Sequence, residues 1–226
     1  MEKAFVIGNG QSRSHFDLNT LRGKGTIYGC NALYRDFLPD VLIATDDKIR
    51  EEIELSEINP DVLENIPAKI PFYTRRPGKL IKTHVDRKWQ DADYENRHSR
   101  KIEHNWGYSS GPVALTYACL KGGGTENPNI NNMYIYFMGF DLMGIGAEDK
   151  DINNIYSGTN AYKPETASAT YYMNWVDQIR RIMLEYKSIN FTRVGALNNF
   201  VPEQWKECSN HREITFEQFE KEINNV

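Results

Sequence analysis

Residues 3–12 read Lys3-Ala4-Phe5-Val6-Ile7-Gly8-Asn9-Gly10-Gln11-Ser12 and join an apolar run to a glycine-rich turn. A short apolar run rich in β-formers predicts a buried parallel strand at Ala4–Ile7. The two glycines that follow permit a tight turn and let a ligand approach the backbone closely. Ser12 stands where an N-cap would begin a helix. The stretch predicts the first strand–turn–helix unit of an α/β fold, with a turn suited to a nucleotide phosphate.

The turn matches neither of the common nucleotide fingerprints. A Gly-x-Gly-x-x-Gly motif would need a glycine where Arg13 stands. A P-loop would need a Gly-Lys-Ser/Thr sequence, which does not follow. An ordinary tight turn between a strand and a helix is therefore the alternative interpretation of this stretch.

Strands and helices alternate along the rest of the chain. Apolar β-rich runs predict strands at Ala4–Ile7, Thr26–Gly29, Val41–Thr45, Ile70–Tyr73, Met133–Met138 and Ile189–Val194. Helical spacing and capping signals predict helices at Asp47–Ile58, Gly111–Leu120, Thr170–Tyr186 and Thr215–Ile223. The last of these opens with a Thr-x-x-Gln capping box. The alternation predicts a single α/β domain over residues 1–226, with a mostly parallel Rossmann-like sheet and helices on both faces.

Composition excludes several classes of protein. The chain has 226 residues, of which 40% are hydrophobic and 26% charged, as is typical of a soluble globular protein. No apolar run approaches the roughly 18 residues of a membrane span, and we expect no signal peptide before the first strand. Cys30, Cys119 and Cys208 are an odd number at wide spacing. We therefore expect reduced thiols and a cytoplasmic location.

Two stretches interrupt the alternation. Residues 69–101 carry ten Lys and Arg against four Asp and Glu, a local charge of +6 in a chain whose net charge is −4. With their aromatic neighbours, residues 74–106 predict a basic lid over the ligand site that contacts a second, anionic or sugar-like substrate, and a solvated loop is the alternative. Residues 143–169 form a long polar loop, typical of a functional lid or of disorder. The candidate contact residues of the basic lid are Arg75, Arg76, Arg87 and Lys88.

Polar residues follow five predicted boundaries of strands or helices. They are Gly8-Asn9-Gly10, Gly29-Cys30-Asn31, Thr45-Asp46-Asp47, Tyr108-Ser109-Ser110-Gly111 and Gly139-Phe140-Asp141. Ligands of open α/β sheets bind outside the carboxyl ends of the strands, and a helix N-terminus favours an anion. Each segment taken singly also fits a cap or a turn. Their recurrence predicts one ligand site at this edge of the sheet.

These motifs together resemble a known family. Gly8-Asn9-Gly10-x-Ser12 and Gly29-Cys30-Asn31 resemble the Gly-Asn-Gly-Pro-Ser and Arg-Cys-Asn motifs of bacterial sialyltransferases with a variant nucleotide-binding fold. Ser109-Ser110-Gly111 and Ile135–Asp141 resemble the Thr-Ser-Gly helix and the Ile-Tyr-Leu-x-Gly-x-Asp motif of that family. The pattern is also similar to a group related to archaeal hydroxymethylpterin diphosphokinase and to phage-encoded glycosyltransferase-like proteins. The resemblance covers residues 4–47 and 107–194, with gaps.

The sialyltransferase resemblance implies a glycosyltransferase that moves a sugar from a nucleotide-sugar donor to a hydroxyl acceptor, with no further cofactor. The tyrosines of the loop after Asp141 match the family only by kind and would help to hold the phosphate. A bacterial or phage-infected cell is the setting that the resemblance implies. The nucleotide-binding residues that it implies are Gly8, Asn9, Gly10, Ser12, Asn31, Ser109, Ser110, Gly111, Asp141, Tyr156 and Tyr162.

The chain departs from the family at the general base. The sialyltransferases carry a catalytic histidine where this chain reads Ala167-Ser168-Ala169-Thr170-Tyr171-Tyr172. Asp46 follows the third strand, where the family places an asparagine, and we predict that its carboxylate deprotonates the acceptor hydroxyl. The alternative bases are Asp141 and three histidines of the basic segment, His84, His98 and His104.

Three other functions stay open at this point. A diphosphokinase would need ATP and Mg²⁺, with the metal held by Asp46, Asp47 and Asp141. Sugar transfer to modified phage DNA would use the basic segment. A non-catalytic nucleotide-binding module would need no base. Because Asp46 and Asp47 are adjacent and no spaced set of ligands stands out, we expect no metal. For a glycosyltransferase, we expect the acceptor to be a glycan, a small molecule or DNA.

Overall fold

The computed structural model describes residues 2–58, 70–77, 99–121, 133–146, 148, 150–196 and 200–224. Its strands form one eight-stranded sheet in which every neighbouring pair is parallel. In chain order they are β1 (Glu2–Ile7), β2 (Thr26–Cys30), β3 (Val41–Ala44), β4 (Phe72–Thr74), β5 (Ser99–Lys101), β6 (Met133–Met138), β7 (Asn190–Val194) and β8 (His211–Ile214). The chain has a Rossmann-like α/β fold, as the alternation predicted.

The strand order reverses at β1. Across the sheet the order is β5-β4-β3-β2-β1-β6-β7-β8, so the chain adds strands first on one side of β1 and then on the other. Ile7 is in register with Gly29 of β2 and with Met138 of β6. Beyond its first turn, the chain after β1 packs Leu18 and Leu21 on one face of the sheet, whereas the chain after β6 leads to a helix on the other face. A crevice opens between such segments, and ligands of open α/β sheets bind there.

Helices cover both faces of the sheet. One face packs against α1 (Asp47–Ile58) and α4 (Phe216–Asn224), and the other against α2 (Ser110–Lys121) and α3 (Met173–Glu185). Both faces are therefore apolar, which explains why the central strands are continuous apolar runs. In the described residues, no helix combines the length and the hydrophobicity that crossing a membrane requires.

The helices form where their sequence signals predicted them. In α3, Val176, Ile179 and Met183 are buried at helical spacing. At the start of α4, the Thr215 amide donates to the Gln218 side chain at 2.9 Å. The Gln218 amide returns a hydrogen bond to the Thr215 hydroxyl at 3.2 Å, which confirms the capping box. The three cysteines are free and buried, as expected.

Several boundaries differ from the prediction. β5 and β8 were not predicted, because Ser-Arg-Lys and His-Arg-Glu-Ile are polar sequences that suit exposed edge strands. The helix predicted from Thr170 begins at Met173. Ser12 does not cap a helix: it lies inside a single 3-10 turn, Gln11–Arg13, whose N-cap is Gly10.

The lid prediction for residues 74–106 is wrong at both of its ends. Thr74 belongs to β4, and residues 99–101 form β5. Ile102 follows β5 and is buried in the core. The ends of this stretch are therefore part of the sheet and its C-terminal edge. Residues 78–98, including Arg87 and Lys88, lie outside the described residues.

Candidate functional site

A cavity of about 630 Å³ opens at the C-terminal edge of the sheet, over the crevice between β1 and β6. The segments that follow β1 to β6 line it, together with the start of α2, the start of α3 and the polar loop of residues 143–169. The sequence-predicted residues that line it are Gly8, Asn9, Gly10, Asn31, Asp46, Arg75, Ser109, Ser110, Gly111, Asp141 and Tyr162. Most of the predicted site is thus brought together from seven separate parts of the chain.

Gly8 and Gly10 make room for the loop after β6. The Gly8 amide donates to the Met138 carbonyl at 2.8 Å, and the Gly10 amide donates to the Gly139 carbonyl at 2.9 Å. A Cβ on Gly8 would lie 2.5 Å from the Gly139 oxygen, and a Cβ on Gly10 would lie 2.5 Å from Oδ2 of Asp141. The absence of a side chain at Gly8 and Gly10 therefore allows the loops after β1 and β6 to pack closely. The sequence interpretation had instead assigned that space to a ligand.

Asp141 is buried where these two loops meet. Its Oδ2 accepts a hydrogen bond from the Ser12 amide at 2.9 Å. Its Oδ1, Oδ1 of Asn9 and the Ser12 hydroxyl are buried without a partner in the described residues. An unpaired buried polar atom costs roughly 1–3 kcal/mol. The next residue, Leu142, has a φ of 68°, and backbone strain of this kind clusters at functional sites.

The polar loop of residues 143–169 packs on the β1 turn and closes one wall of the cavity. The Tyr162 hydroxyl accepts hydrogen bonds from the Asn9 side chain at 3.0 Å and from the Ala32 amide at 3.3 Å. Asn153 accepts from the Gln11 amide at 2.8 Å. Burial raises the pKa of Tyr162, so its hydroxyl keeps its proton and remains a hydrogen-bond donor.

Tyr156, the second tyrosine of this loop, does not reach the cavity. Its ring is buried in the core, and its hydroxyl donates to Oδ2 of Asp36 at 2.7 Å. That hydroxyl also accepts from Arg13 at 3.1 Å, and Arg13 donates to the Gly8 carbonyl at 2.6 Å. Tyr156 therefore does not make the phosphate contact that the resemblance implied. Through Arg13 it supports the turn after β1 from behind. Ser12 does not line the cavity either, because it faces a neighbouring pocket.

Asn31 connects the ends of β2 and β3 with the start of α2. Its φ of 50° lies in the left-handed region, which asparagine adopts more readily than most residues. Its Oδ1 accepts from the Ser110 hydroxyl at 2.7 Å, and its Nδ2 donates to Oδ2 of Asp46 at 3.2 Å. Ser110 in turn accepts from the Thr45 amide at 2.9 Å. This network holds the Asp46 carboxylate in place relative to α2.

Asp46 combines access to the cavity with altered acidity. Its side chain is exposed at the cavity, yet desolvation by the surrounding protein raises its pKa above the ordinary value of 3.8. The Arg75 guanidinium and the Asn31 amide oppose this rise, and the Asp47 carboxylate adds to it. A carboxylate whose pKa is raised is a better general base at neutral pH.

Of the two adjacent arginines, Arg75 lines the cavity and Arg76 does not. The Arg75 side chain donates to the Trp106 carbonyl at 3.0 Å and to the Tyr108 carbonyl at 2.7 Å. Its guanidinium also lies 5.7 Å from the centre of the Trp106 ring. Arg76 is exposed, and its carbonyl accepts a hydrogen bond from Arg50 at 2.8 Å. The placement of Arg76 thus gives no support to its predicted contact with the acceptor.

Two side chains of α3 hold the start of α2. Oε1 of Gln178 accepts from the Ser109 amide at 3.0 Å, and the Trp175 indole donates to the Ser109 hydroxyl at 3.0 Å. The sequence interpretation missed both contacts, because Trp175 fitted the apolar face of its helix. The amides of Ser110 and Gly111 have no acceptor within α2, as is usual for the first turn of a helix. Ser110 and Gly111 line the cavity, and the first amides of a helix favour an anion.

No histidine lines the cavity in the described residues. Thr170 and Tyr171 line it in the stretch where the sialyltransferases carry their histidine. His104 is exposed and packs edge-on against Tyr117, with 6.1 Å between the ring centres. Cys30 also lines the cavity, but burial raises its pKa to about 12, so its thiol is not a nucleophile at neutral pH. His84 and His98 lie outside the described residues.

The three carboxylates that a magnesium site would need have separate partners. Asp47 pairs with Arg50 at 3.1 Å, whereas Asp46 and Asp141 accept the hydrogen bonds described above. Within the part of the chain that the structure describes, no group of three or more His, Cys, Asp and Glu side chains is placed to hold a metal ion.

Comparisons with known proteins add no relative. No model of a protein family, no curated protein and no solved structure matches this chain. Its function therefore has to be inferred from the cavity and from the resemblance of its motifs.

Proposed function

We propose that this chain is a glycosyltransferase that moves a sugar from a nucleotide-activated donor to a hydroxyl group of an acceptor, like the bacterial sialyltransferases that its motifs resemble. The observation that carries the proposal is the position of Asp46, which lines the same cavity as the first amides of α2 and has a raised pKa. A carboxylate can take the proton that the acceptor hydroxyl must lose. Helix amides can stabilise the negative charge of the phosphate that must leave.

The phosphate of the nucleotide-sugar has to be held by groups that donate hydrogen bonds. Ser110, Gly111 and Tyr162 line one cavity. The helix amides of the first two and the hydroxyl of the third can each donate to a phosphate oxygen. Negative charge grows on the phosphate as it departs. These N–H and O–H groups therefore stabilise the transition state more than they stabilise the bound nucleotide-sugar. Asn9 positions the Tyr162 hydroxyl through its hydrogen bond.

The acceptor side depends on Asp46. Its carboxylate takes the proton of the acceptor hydroxyl while the acceptor oxygen bonds to the anomeric carbon of the donor sugar. The bond between that carbon and the phosphate oxygen breaks, and the nucleotide leaves with the bonding electrons. Asp46 then releases the proton to water. Asn31 is a positioning residue, because it holds the carboxylate through a hydrogen bond of 3.2 Å.

A thermal-shift screen of nucleotide-sugars tests the donor site. We expect a CMP-, UDP- or GDP-sugar to raise the melting temperature, because a ligand that binds only the folded state at 100 times its Kd stabilises it by about 2.7 kcal/mol. The shift should persist in EDTA, since the carboxylates have separate partners. A shift with ATP alone that needs Mg²⁺ would support the diphosphokinase alternative. If no nucleotide shifts the transition, nucleotide binding is contradicted.

The pH dependence of turnover tests the base. Turnover that needs the Asp46 carboxylate rises as the pH increases through the pKa of Asp46. Because the Arg75 charge lowers this pKa, Arg75→Gln should raise it and move the acidic limb of the pH–rate profile to higher pH. Arg76→Gln is the matched control, since Arg76 does not line the cavity, and should leave the limb in place. An identical limb in both variants would show that Arg75 does not act on the base.

Sugar transfer to modified DNA stays a second prediction, which the +6 charge of residues 69–101 favours. If the basic segment binds a duplex, the logarithm of the affinity should fall by about 0.9 for each contacted phosphate per unit of log salt concentration. Neutralising Arg75, Arg76, Arg87 and Lys88 should flatten that slope. Duplex binding measured across a salt series checks this, and an absence of binding at low salt would exclude DNA as the acceptor.

A further inference from the structure

Two exposed aromatic side chains lie at the cavity or beside a residue that lines it. Tyr171 lines the cavity and is 71% exposed, and Trp106 is 47% exposed and precedes Gly107, which lines the cavity. Most aromatic rings of the described residues are buried in the core or packed against it. Large exposed rings beside a cavity are typical of a binding surface.

The two rings belong to segments that are joined to each other. Trp106 lies three residues before Ser109, which is hydrogen-bonded to Trp175 and Gln178 of α3. Tyr171 lies two residues before α3. The hydrogen bonds of Ser109 therefore join the segment that follows Trp106 to α3, the helix that Tyr171 precedes.

Neighbouring contacts hold each ring at the rim. Tyr172 packs edge-on against Phe200 at 5.8 Å between ring centres, and the Tyr171 ring lies 6.4 Å from the Tyr172 ring. The Trp106 carbonyl accepts from Arg75, whose guanidinium also lies against the indole. Such anchored rings offer a binding surface that loses little conformational entropy when a ligand binds.

Side chains that both donate and accept hydrogen bonds lie beside Tyr171. Thr170, Asn174 and Gln178 line the same part of the cavity. Amides and hydroxyls of this kind match the hydroxyl groups of a sugar, each of which is also a donor and an acceptor. An aromatic ring beside them suits the apolar face of a sugar ring.

The described rim has little cationic charge for a polyanion. Of the described Lys and Arg side chains, Arg75 and Lys163 line the cavity. Arg75 already donates to the Trp106 and Tyr108 carbonyls. Aromatic rings and amides therefore favour a saccharide over a nucleic-acid backbone at this rim, because phosphate recognition depends on Lys and Arg.

We infer that the mouth of the cavity binds a saccharide, with its sugar ring packed on Tyr171 and Trp106 and its hydroxyl groups bonded to Thr170, Asn174 and Gln178. That this saccharide is the acceptor rests on the proposed function. Saccharide binding itself is a separate property and is measurable in the absence of any donor.

Binding of the whole chain to an array of oligosaccharides, without nucleotide, tests this inference. The saccharide that binds best is then titrated by calorimetry. Tyr171→Ala should weaken binding about tenfold or more, since truncation of a tyrosine that anchors a ligand has effects of this size. Tyr171→Phe keeps the ring and should retain the affinity. Leu38→Ala, another exposed apolar site that precedes β3 at the opposite edge of the sheet, should change nothing.

The outcomes separate this inference from the proposed function. Absence of binding to every saccharide, wild-type affinity in Tyr171→Ala, or a preference for duplex DNA over all saccharides would each overturn the inference. Saccharide binding that depends on the Tyr171 ring, in a chain that no nucleotide-sugar stabilises, would support the saccharide site and overturn the glycosyltransferase.

Discussion

Asp46→Asn is expected to lower turnover by about 100-fold or more, because a positioned general base contributes about 10²- to 10⁴-fold to a reaction rate. Asparagine has nearly the same volume, and its Oδ1 can accept the hydrogen bond that Asn31 donates to Asp46. The affinity for the donor should therefore be preserved. Rates of nucleotide release with the acceptor present, and donor affinity by calorimetry, measure the two effects separately.

Asp47→Asn is the matched control for this prediction. Asp47 is the adjacent carboxylate, is exposed, and pairs with Arg50 at 3.1 Å. Because it does not line the cavity and only adds to the pKa rise that burial causes in Asp46, its loss should leave the rate at neutral pH close to that of the wild type. Equal losses in the two variants would point to the net charge of the site, and an undiminished rate in Asp46→Asn would contradict its role as the base.

Gly8→Ala is expected to lower the free energy of unfolding by about 1–3 kcal/mol, the usual cost of inserting a methyl group into a packed region. The new Cβ would lie 2.5 Å from the Gly139 oxygen, so one of the two loops must move. Ile7 and Met138 pair immediately before these loops, and the movement therefore affects both the core and the cavity. Urea unfolding measures the loss of stability, and the nucleotide thermal-shift screen measures the accompanying loss of binding.

Gly107→Ala is the control that shows whether the loss of stability in Gly8→Ala comes from close packing or from any substitution of a glycine that lines the cavity. Gly107 also lines the cavity, but a Cβ there meets no atom within 4 Å, and its φ is not positive. The alanine should leave stability unchanged or raise it by about 0.4–1 kcal/mol, because it restricts the unfolded chain. If Gly8→Ala were as stable as Gly107→Ala, the close contact between the loops after β1 and β6 would be in doubt.

The sequence predicted the central strands of the sheet more reliably than its edges. β1, β3 and β6 are buried on both faces and therefore read as continuous apolar runs. β5 and β8 lie at the two edges, where half-exposed polar residues suffice and leave no periodic signal. Strand recognition from sequence thus depended on burial.

The sequence also predicted that the polar turns would meet. In a parallel sheet the carboxyl ends of all strands lie at one edge, so residues such as Asn31, Asp46 and Asp141 must gather there once the strands are recognised. The partners of these residues were not predictable in the same way. Gln178 and Trp175 contact Ser109 from almost 70 residues away, and local pattern carries no information about such distances.

By itself the sequence determined the parallel α/β fold and the edge of the sheet that carries the candidate site, because periodicity and turn chemistry are local properties. Only the tertiary structure decided which polar side chain faces the cavity. Tyr162 lines it, whereas Tyr156 in the same loop is buried against Asp36. Likewise Arg75 lines it and Arg76 does not. In each pair the residue type is the same, and the difference arises because segments distant in sequence pack against one member and leave the other at the cavity or in solvent.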